Sequence, residues 1–357
     1  MIGKHTQQIG LSGILVLMLL LVLAVFGDET WQNPFTEETR LYFTGDIMLD
    51  RNVRVWQQNN GFLYPVYDIL PTVWEADLLS GNLESVISDK GSPMNKMYIF
   101  RALPEQMELL QLCGFDLLSV ANNHALDYLF PAFLDNMERL DSAEIAHVGG
   151  GKNLPNALEH RILLVNNISI AFFGLNDTRT NFITCTQPCT VPSWPGNERR
   201  IMDRIERVDS LVDLVIVHVH WGTEDTTFQN SRQEVLGRLL LDSGADLVIG
   251  HHPHRLQPVE FNDNGIIAYS LGNFIFDQND SLNRLGGILD VRLRDKEISS
   301  VNMIPVQNFS PARAAGPVVP EIEDFAISQM SRILGRNNVK PVWTGDRFRL
   351  EKRIAEQ

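Results

Sequence analysis

Short apolar runs alternate with amphipathic stretches along this chain, and many of the apolar runs end in a turn rich in Gly, Asn, Asp or His. Apolar runs bounded by turn residues indicate buried strands, and apolar residues three or four positions apart indicate helices. The strands predicted in this way span residues 40–49, 77–80, 115–120, 212–219, 245–249 and 265–271. The helices predicted in this way span residues 67–76, 104–113, 131–141, 231–241 and 321–334.

Two further segments have the pattern of antiparallel hairpins, in which apolar runs flank a two-residue polar turn. Residues 161–175 turn at Asn166-Asn167, and residues 287–306 turn near Asp295-Lys296. Alternating strands and helices indicate parallel pairing, and hairpins add antiparallel pairing. We therefore predict an α/β fold with α+β character, in which a mixed sheet is covered by helices. Residues 176–210 and those after 334 are predicted as loops and a polar tail.

The first 27 residues have the pattern of a segment that directs a chain to a membrane or through it. Residues 11–26 carry no charge, Lys4 precedes them, and Asp28 and Glu29 follow them. An uncleaved signal anchor and a cleaved signal peptide both fit, since the stretch is slightly short for a spanning helix of about 20 residues. The charge of Lys4 favours a cytoplasmic N-terminus. We expect the rest of the chain on the extracytoplasmic side of the cell membrane, or secreted after cleavage.

The acidic charge balance limits the partners of the chain. Its 357 residues carry a formal net charge of −14, and 44% of them are hydrophobic. That hydrophobic fraction is typical of a globular domain and not of a disordered chain. Nucleic-acid binding needs a basic face, so we expect no nucleic-acid partner. A polyanionic substrate would need local cations or a bound metal.

The cysteines are too few for a disulfide framework, because there are only three. Cys185 and Cys189 share one polar loop, where they either form a local disulfide or stay free. Cys113 ends an apolar helical pattern and is predicted to be a small buried hydrophobe.

A group of histidines late in the chain is the strongest candidate for chemistry. His252 and His254 follow a buried strand and flank Pro253, which restricts the backbone between them. Neutral imidazole is a good ligand for zinc, iron and manganese ions. His220 ends the preceding strand and is the next candidate, whereas His218 is more typical of a core position. One histidine is more often structural, but two on a rigid loop favour metal binding.

Oxygen-bearing side chains follow three earlier strands. Asp46 stands in the turn at Gly45-Asp46 into which the strand predicted over 40–49 runs, and Glu84 and Asn123 each stand in a turn after a predicted strand. For Asp46 the alternative is a turn residue whose side chain satisfies backbone amides. One such polar turn is weak evidence, but several turns after separate strands are stronger in combination. Ligands of α/β folds gather at strand ends, so we predict that these turns form one site. His124, beside Asn123, is the candidate proton donor to a leaving group.

Eight segments, in this order, resemble the CapA family of poly-γ-glutamate capsule proteins. They are G-D-I-M-L-D (45–50), G-N-L-E (81–84), F-R-A-L-P-E (100–105), A-N-N-H-A-L-D (121–127), H-V-G-G-G-K-N-L-P-N-A (147–157), H-W-G (220–222), H-H-P-H (251–254) and S-L-G-N-F-I-F-D (270–277). The resemblance extends from about residue 40 to about residue 310. The CapA family is itself similar to calcineurin-like metallophosphatases. That similarity implies a four-layer sandwich of two mixed β-sheets flanked by helices, with metal ligands on loops at the sheet edge.

The resemblance implies a role for each matching residue. The implied metal ligands are Asp46, Glu84, Asn123, His220, His252 and His254. His124 is the implied catalytic residue, which stabilises charge or protonates the leaving oxygen. The implied cofactor is a divalent metal, Mn, Fe or Zn, bound as one or two ions that activate water and clamp a phosphoryl group. Arg101 and Asn82 are the predicted substrate-binding residues, with a structural ion pair as the alternative for Arg101.

Two positions depart from the metallophosphatase pattern. Met48 stands where that pattern has a metal-binding histidine, and methionine does not replace it for a hard ion. The pattern's G-D-x-x-D segment is replaced by the sequence G-N-L-E at 81–84. The sequence therefore leaves open whether one or two ions bind and whether the site is catalytic.

The predicted organisation has four parts: a signal anchor or signal peptide at 1–27, a linker at 28–39, a CapA/metallophosphatase-like domain at 40–310 and a C-terminal helical extension at 311–357. The first functional hypothesis is a metal-dependent hydrolase-type site in synthesis or export of capsule or poly-γ-glutamate. Its substrate would be an anionic polymer, a phosphoester or an amide. The second hypothesis is a non-catalytic, membrane-anchored assembly subunit of a polymer synthase. The third is a ligand-binding or sensing module. A serine hydrolase is not supported, since the chain has no G-x-S-x-G elbow.

Overall fold

Two mixed β-sheets dominate the part of the chain that the computed structural model describes, which is residues 38–178, 198–308 and 320–353. The strands are, in chain order, β1 (Thr39–Ile47), β2 (Leu78–Leu83), β3 (Val86–Ile87), β4 (Arg101–Ala102), β5 (Leu117–Ser119), β6 (Ala146–Val148), β7 (Arg161–Val165), β8 (Ile168–Asn176), β9 (Leu214–His220), β10 (Leu247–His251), β11 (Val259–Asn262), β12 (Gly265–Ala268), β13 (Asn273–Ile275), β14 (Leu285–Arg294), β15 (Glu297–Gln307), β16 (Val339–Trp343) and β17 (Phe348–Lys352). The helices are α1 (Arg51–Asn60), α2 (Leu70–Val73), α3 (Gln106–Cys113), α4 (Leu129–Ser142), α5 (Leu154–Ala157), α6 (Glu198–Asp209), α7 (Ser231–Asp242) and α8 (Pro320–Leu334).

Each sheet combines parallel and antiparallel pairs. Within the described ranges the larger sheet has nine strands in the order β16-β17-β15-β14-β1-β2-β5-β6, with β13 also paired to β1. The smaller sheet has six strands in the order β11-β12-β10-β9-β8-β7. Strands β1, β2, β5 and β6 run parallel, as do β8, β9, β10 and β12. Their carboxyl ends therefore lie at one edge of each sheet.

Alternation of side chains along the strands builds three apolar layers. Leu41 and Phe43 of β1 pack in the cluster between the two sheets, together with Phe172 of β8 and Ile216 of β9. Tyr42 lies between them in sequence and points to the opposite face, because side chains alternate along a strand. One face of each sheet therefore packs against the other sheet.

Helices cover the outer face of each sheet. Leu110 of α3 and Phe133 of α4 pack in the cluster on the outer face of the larger sheet. Ile205 of α6 and Leu236 of α7 pack with Val217 on the outer face of the smaller sheet. The four-layer order of helices, sheet, sheet and helices follows, so the predicted mixed α/β sandwich is confirmed.

The predicted hairpins are confirmed, and the reason lies in their turn residues. Asn166 and Asn167 have φ values of 47° and 65°, and Asp295 and Lys296 have φ values of 52° and 71°. Two consecutive residues at positive φ form the turn whose twist matches a two-stranded hairpin. These turns join β7 to β8 and β14 to β15.

Several predicted elements are wrong in extent or kind. The helix predicted over 67–76 is only Leu70–Val73, because Pro71 lacks an amide hydrogen and fits only the first turn. Helix Glu198–Asp209 lies where loops were predicted, and its Ile201 and Ile205 are buried against the smaller sheet. Helix Arg51–Asn60 was not predicted.

The C-terminal residues contribute more than a helix and a polar tail. The predicted helix is present as Pro320–Leu334, and its Met330 packs between the two sheets. The predicted polar tail is wrong, since β16 and β17 pair with each other and β17 pairs with β15. Phe348 and Leu350 alternate with polar residues and are buried, which is the pattern of a half-buried strand.

Some predictions fall partly or wholly outside the described residues. The N-terminal segment at 1–27, Cys185 and Cys189 lie outside them, and so does the linker apart from residues 38 and 39. No helix within the described ranges has the length and apolar character that crossing a membrane requires. Cys113 is buried, and burial raises the pKa of its thiol to about 12.

Candidate metal centre

Polar side chains from both sheets meet at the carboxyl ends of the parallel strands. Asp46 lies at the end of β1, Glu84 follows β2, and His220 ends β9. The loop after β5 carries Asn123 and His124, and the loop after β10 carries the H-P-H segment. All seven predicted metal-binding and catalytic side chains are at most 8% exposed: Asp46, Glu84, Asn123, His124, His220, His252 and His254.

Backbone geometry brings the strand ends close together. A Cβ at Gly45 would lie 1.9 Å from the carbonyl oxygen of Gly272, so only glycine allows this approach. The amide of Asp46 can then donate to that same carbonyl oxygen at 2.9 Å. On the facing loop, His252 and His254 have φ values of 95° and 56°. Such left-handed conformations are strained for non-glycine residues and are typical of functional loops.

Glu84 is a buried carboxylate that lacks hydrogen-bond donors. Neither of its oxygens has a hydrogen-bond partner among the described residues. Imidazole nitrogens surround it instead, because Oε1 lies 3.8 Å from Nε2 of His220, 3.8 Å from Nε2 of His254 and 3.9 Å from Nε2 of His124. Burial raises the pKa of Glu84 well above its ordinary value, and the charge of Asp46 adds to this. The environment therefore favours a positive charge beside Glu84.

Glu84, His252 and His254 form a compact group. One ligand atom from each lies within 4.8 Å of the others, and no second such group of three occurs in the described ranges. Burial, followed by the charge of His254, lowers the pKa of His252 to about 3. Burial also lowers that of His254, but Glu84 and Asp46 outweigh it and raise the pKa to about 10.

These residues fit a divalent metal ion. The carboxylate of Glu84, which accepts no hydrogen bond from the described residues, and the neutral imidazole of His252 are both available as ligands. The nearby carboxylates favour the positively charged form of His254, so the site favours a cation. Ligands at about 2.1 Å from one tetrahedral ion lie about 3.4 Å apart. The separation of 3.8 Å between Nε2 of His254 and Oε1 of Glu84 is close to that value. The donor set of imidazole and carboxylate suits Zn, Fe or Mn.

Asp46 differs from Glu84, because donors approach both of its oxygens. Oδ1 accepts from Nδ2 of Asn82 at 2.8 Å, and Oδ2 accepts from the backbone amide of His252 at 3.2 Å. Burial alone would raise the pKa of Asp46, but the nearby imidazoles of His251 and His254, 3.5 Å and 3.3 Å from its oxygens, hold it well below its ordinary value. Asp46 is therefore stable as an anion.

His124 is held by Asp127, which lies in the same predicted polar turn, and by Lys96, which was not predicted for the site. Its Nδ1 lies 2.6 Å from Oδ2 of Asp127, and Asp127 also accepts from Nζ of Lys96 at 2.6 Å. The ring of Phe100 stacks on His124 with centroids 4.0 Å apart. Burial lowers the pKa of His124, although the bond to Asp127 opposes this. Its other nitrogen, Nε2, faces Glu84.

The predicted substrate-binding residues lie in different surroundings. Asn82 is fully buried and bridges Asp46 and Nδ1 of His220, so it lies behind the ligands. Arg101 stacks 3.5 Å over the Tyr128 ring and donates to the carbonyl oxygen of Lys90 at 2.7 Å. A role for either in substrate binding stays a prediction.

Met48 lies away from the group of ligands. It packs in the apolar cluster on the helix side of the larger sheet, and its sulfur is 3.2 Å from the amide nitrogen of Asp50. No metal ligand therefore comes from this position.

Other polar residues around the site were not predicted as ligands or substrate-binding residues. Asn122 and Asn273 donate and accept beside the ligands. His218 and His251 stack with ring centroids 5.3 Å apart, and Ser80 lies 2.9 Å from His218. A buried polar residue on an otherwise apolar strand, such as Ser80, is the signal that could have indicated them.

Comparison with known proteins identifies the group to which these strand-end motifs belong. The family described as bacterial capsule synthesis protein PGA_cap matches residues 40–278. The chain belongs to this family. The predicted resemblance to CapA proteins is confirmed.

Two CapA proteins from other bacteria match most of the chain. The capsule biosynthesis protein CapA of Bacillus anthracis is 31% identical over 284 residues, which are 77% of this chain and 69% of that one. The PGA biosynthesis protein CapA of Bacillus subtilis (strain 168) is 29% identical over 267 residues, 74% of this chain and 70% of that one.

Among solved structures, a putative 5'-nucleotidase from Staphylococcus aureus in complex with alpha-ketoglutarate is similar at a TM-score of 0.48. It is 16% identical, and the match covers 83% of this chain and 58% of that one. The four-layer order described above rests on the sheets and apolar clusters of this chain and not on that likeness.

Proposed function

We propose that this member of the PGA_cap family carries a metal-dependent hydrolase-type site used in synthesis or export of capsule or poly-γ-glutamate. The names of its relatives, a capsule biosynthesis protein and a PGA biosynthesis protein, support the biological setting. The substrate is an anionic polymer, or a phosphoester or amide that precedes it. Membrane subunits of a polymer synthase are the proposed partners.

The burial of Glu84 without a hydrogen-bond donor is the observation that carries the hydrolase part of the proposal. A carboxylate that is 0% exposed and accepts no hydrogen bond from the described residues is costly unless a cation compensates it. Within the described ranges no lysine or arginine forms an ion pair with it, and its close neighbours are imidazoles. A structural role alone gives no reason to bury such a group.

Glu84, His252 and His254 would hold a divalent ion, with the remaining predicted ligands around them. The chemistry that such an ion supplies when bound is Lewis acidity toward a phosphoryl or carbonyl group and activation of water. The protein contributes a buried site, which strengthens every electrostatic interaction inside it.

His124 would transfer the proton. Asp127 holds Nδ1, so Nε2 is the nitrogen that can take a proton and deliver it to a leaving oxygen or nitrogen. Lys96 fixes the loop from the other side, because its Nζ donates to Asp127 and to the carbonyl oxygen of Asn123 at 2.9 Å. The orientation of the His124 ring thus depends on the ion pair between Lys96 and Asp127.

The proposed location is the extracytoplasmic side of the cell membrane. It rests on the uncharged stretch at residues 11–26 and on Lys4 before it. Labelling with a membrane-impermeant reagent in intact cells tests it. Labelling only after lysis would oppose this location.

Turnover by the full-length chain, purified in mild detergent and loaded with Mn²⁺, Fe²⁺ or Zn²⁺, tests the hydrolase. Bis-p-nitrophenyl phosphate and γ-glutamyl-p-nitroanilide report phosphoester and amide hydrolysis. We expect His124→Ala to lower the rate about 10²–10⁴-fold with metal content unchanged. His147→Ala is the matched control, since His147 is 7% exposed and lies on β6 outside the site. Absence of turnover with every metal would end the hydrolase proposal.

A non-catalytic assembly subunit is the second candidate, and one surface feature favours it. Met97 is 86% exposed and Tyr98 is 58% exposed, side by side next to Lys96. Large exposed apolar side chains are typical of a contact with another protein. A synthase subunit would cover them.

Polymer output separates the two candidates in a polymer-producing host whose own relative is deleted. The hydrolase is supported if His124→Ala abolishes polymer output and a Met97→Ser/Tyr98→Ser double variant keeps it. The reverse pattern supports the assembly subunit.

A further inference from the structure

Backbone groups determine the orientation of the Asn122 amide. Its Nδ2 lies 2.8 Å from the carbonyl oxygen of Leu83, and its Oδ1 accepts from the amide of His124 at 3.1 Å. A carbonyl only accepts and a backbone N–H only donates, so turning the amide round would lose both bonds. The contact of Nδ2 with Oδ1 of Asn82 at 3.1 Å is therefore a donation from Asn122.

This orientation determines where the proton of His220 lies. Because Asn82 accepts through Oδ1, its Nδ2 faces Oδ1 of Asp46 at 2.8 Å and Nδ1 of His220 at 3.3 Å. An amide nitrogen donates, so Nδ1 of His220 accepts and the ring proton is on Nε2. Nε2 then donates to Oδ1 of Asn123 at 2.8 Å. A ring nitrogen that keeps its proton does not bind a metal ion.

The same reasoning gives the opposite result for His254. Nδ2 of Asn273 donates to the carbonyl oxygen of Asn283 at 3.1 Å, so its Oδ1 is the atom 3.0 Å from Nδ1 of His254. Oδ2 of Asp46 is 3.3 Å from that nitrogen as well. Both neighbours accept, so Nδ1 carries a proton, and Nε2, 3.8 Å from Glu84, is the nitrogen available to a cation.

Hydrogen-bond donors already contact both oxygens of Asp46, whereas Glu84 accepts no hydrogen bond from the described residues. A carboxylate that accepts from the second nitrogen of a histidine orients that ring toward a metal and makes it a better ligand. Asp46 stands in this relation to His254. By contrast, both oxygens of Glu84 and Nδ1 of His252 have no hydrogen-bond partner among the described residues.

We infer that the chain binds one ion through three side chains, Glu84, His252 and His254. The other three predicted ligands, Asp46, Asn123 and His220, form a hydrogen-bonded frame that orients this group. The inference rests on the proposed metal-dependent function and narrows its site. Two imidazoles and one carboxylate with an open position suit a catalytic zinc ion or a ferrous ion. Nε2 of His124 is 3.9 Å from Oε1 of Glu84, so His124 would stand beside the bound ion.

Metal stoichiometry tests this inference without reference to activity. The full-length chain in detergent is stripped with chelator, reloaded with Zn²⁺ alone and measured by plasma mass spectrometry and calorimetry. We expect one ion per chain and, by X-ray absorption, two imidazole ligands. Binding is lost in Glu84→Gln and His254→Ala.

The frame residues give the decisive contrast. We expect His220→Gln and Asn123→Ala to retain one ion per chain with affinity lowered by about 10- to 100-fold, as when a supporting partner of a ligand is removed. His147→Ala, a buried histidine away from the site, leaves binding unchanged. Circular dichroism checks that each variant is folded, and X-ray absorption of the unaltered chain does not depend on any variant.

Two ions per chain, or three or more imidazoles on the ion, would overturn the inference. Loss of the ion in His220→Gln as complete as in His254→Ala would overturn it too. One ion without hydrolysis supports this inference and ends the hydrolase proposal, whereas two ions with hydrolysis do the reverse. A chain that binds no ion contradicts both.

Discussion

Asp46 and Glu84 are two carboxylates with the same burial and different surroundings. Both are 0% exposed and follow neighbouring parallel strands, β1 and β2. Donors approach both oxygens of Asp46, but none of the described residues donates to Glu84. The pKa of Asp46 is held well below its ordinary value, and that of Glu84 is raised well above it.

The difference shows that hydrogen-bond donors, and not burial alone, decide whether a carboxylate is stable as an anion. Burial disfavours the charged form of both groups. Asp46 overcomes this through fixed dipoles and N–H groups, so it does not depend on a cation. Glu84 requires a cation to be stable when charged, which is why we assign it to the metal.

The largest expected effect is that of Glu84→Gln, which removes the carboxylate without donors. We expect loss of metal binding. In the metal-stripped chain at a pH above 7, we expect the same change to increase the free energy of unfolding by about 1–3 kcal/mol, because it removes an uncompensated buried charge. Chemical denaturation of stripped and loaded protein measures both.

The raised pKa of Glu84 makes the stability of the metal-stripped chain depend on pH. A carboxyl whose folded pKa is raised makes the stripped chain lose stability as pH rises from the unfolded value, about 4.3, through the folded pKa. Glu84→Gln removes that slope. A stripped variant that is less stable than the parent would contradict the comparison.

Asp46→Asn has the opposite sign. It replaces an acceptor that satisfies Asn82, the amide of His252 and Nδ1 of His254. We expect stripped and loaded protein both to lose about 1–3 kcal/mol at pH 7. The stabilisation from a depressed pKa is present above the unfolded value, about 3.9, and is lost as pH falls toward the folded pKa. Equal stability of variant and parent at pH 7 would show that the donors do not matter.

Ser80→Ala tests whether support for Asp46 extends further back. The Ser80 hydroxyl is 2.9 Å from Nε2 of His218, whose Nδ1 is 3.0 Å from His251, and His251 is 3.5 Å from Asp46. We expect a loss of about 0.5–1.5 kcal/mol with metal stoichiometry unchanged. Denaturation and calorimetry check it, and Ser80→Cys is the conservative control. A change in metal stoichiometry would mean that Ser80, His218 and His251 act directly on the metal ligands.

Asp135→Asn applies the rule outside the site and has the smallest expected effect. Burial raises the pKa of Asp135, but hydrogen bonds from Lys90, Ser88 and Arg139 outweigh it and lower the pKa to about 2. Lys90 is 55% exposed at its side chain, so solvent weakens the pair. We expect a loss of about 0.5–1 kcal/mol at pH 7 that fades between about pH 4 and pH 2. Thermal unfolding across this range measures it, and a pH-independent loss would contradict it.

Polar residues at strand ends were sufficient to predict which side chains meet at one edge of the sheets. Asp46 stands at the end of β1, and Glu84, Asn123, His252 and His254 follow strands whose parallel partners bring such turns together. The nearly apolar strands and the two-residue hairpin turns were likewise local signals. Helix Glu198–Asp209 and strand β17 do carry local signals that the prediction overlooked. Ile201, Ile205 and Val208 recur at helical spacing, and Phe348 and Leu350 alternate with polar residues.

Sequence alone determined the family, the mixed α/β class and the set of residues with metal-binding chemistry. It could not determine their division of labour, because that depends on which donors approach which oxygen. Asn82 is 138 residues from His220, and Asp46 is 206 residues from His252. Only the tertiary structure places these groups in contact, and the direction of each hydrogen bond then decides which side chain is available to a cation.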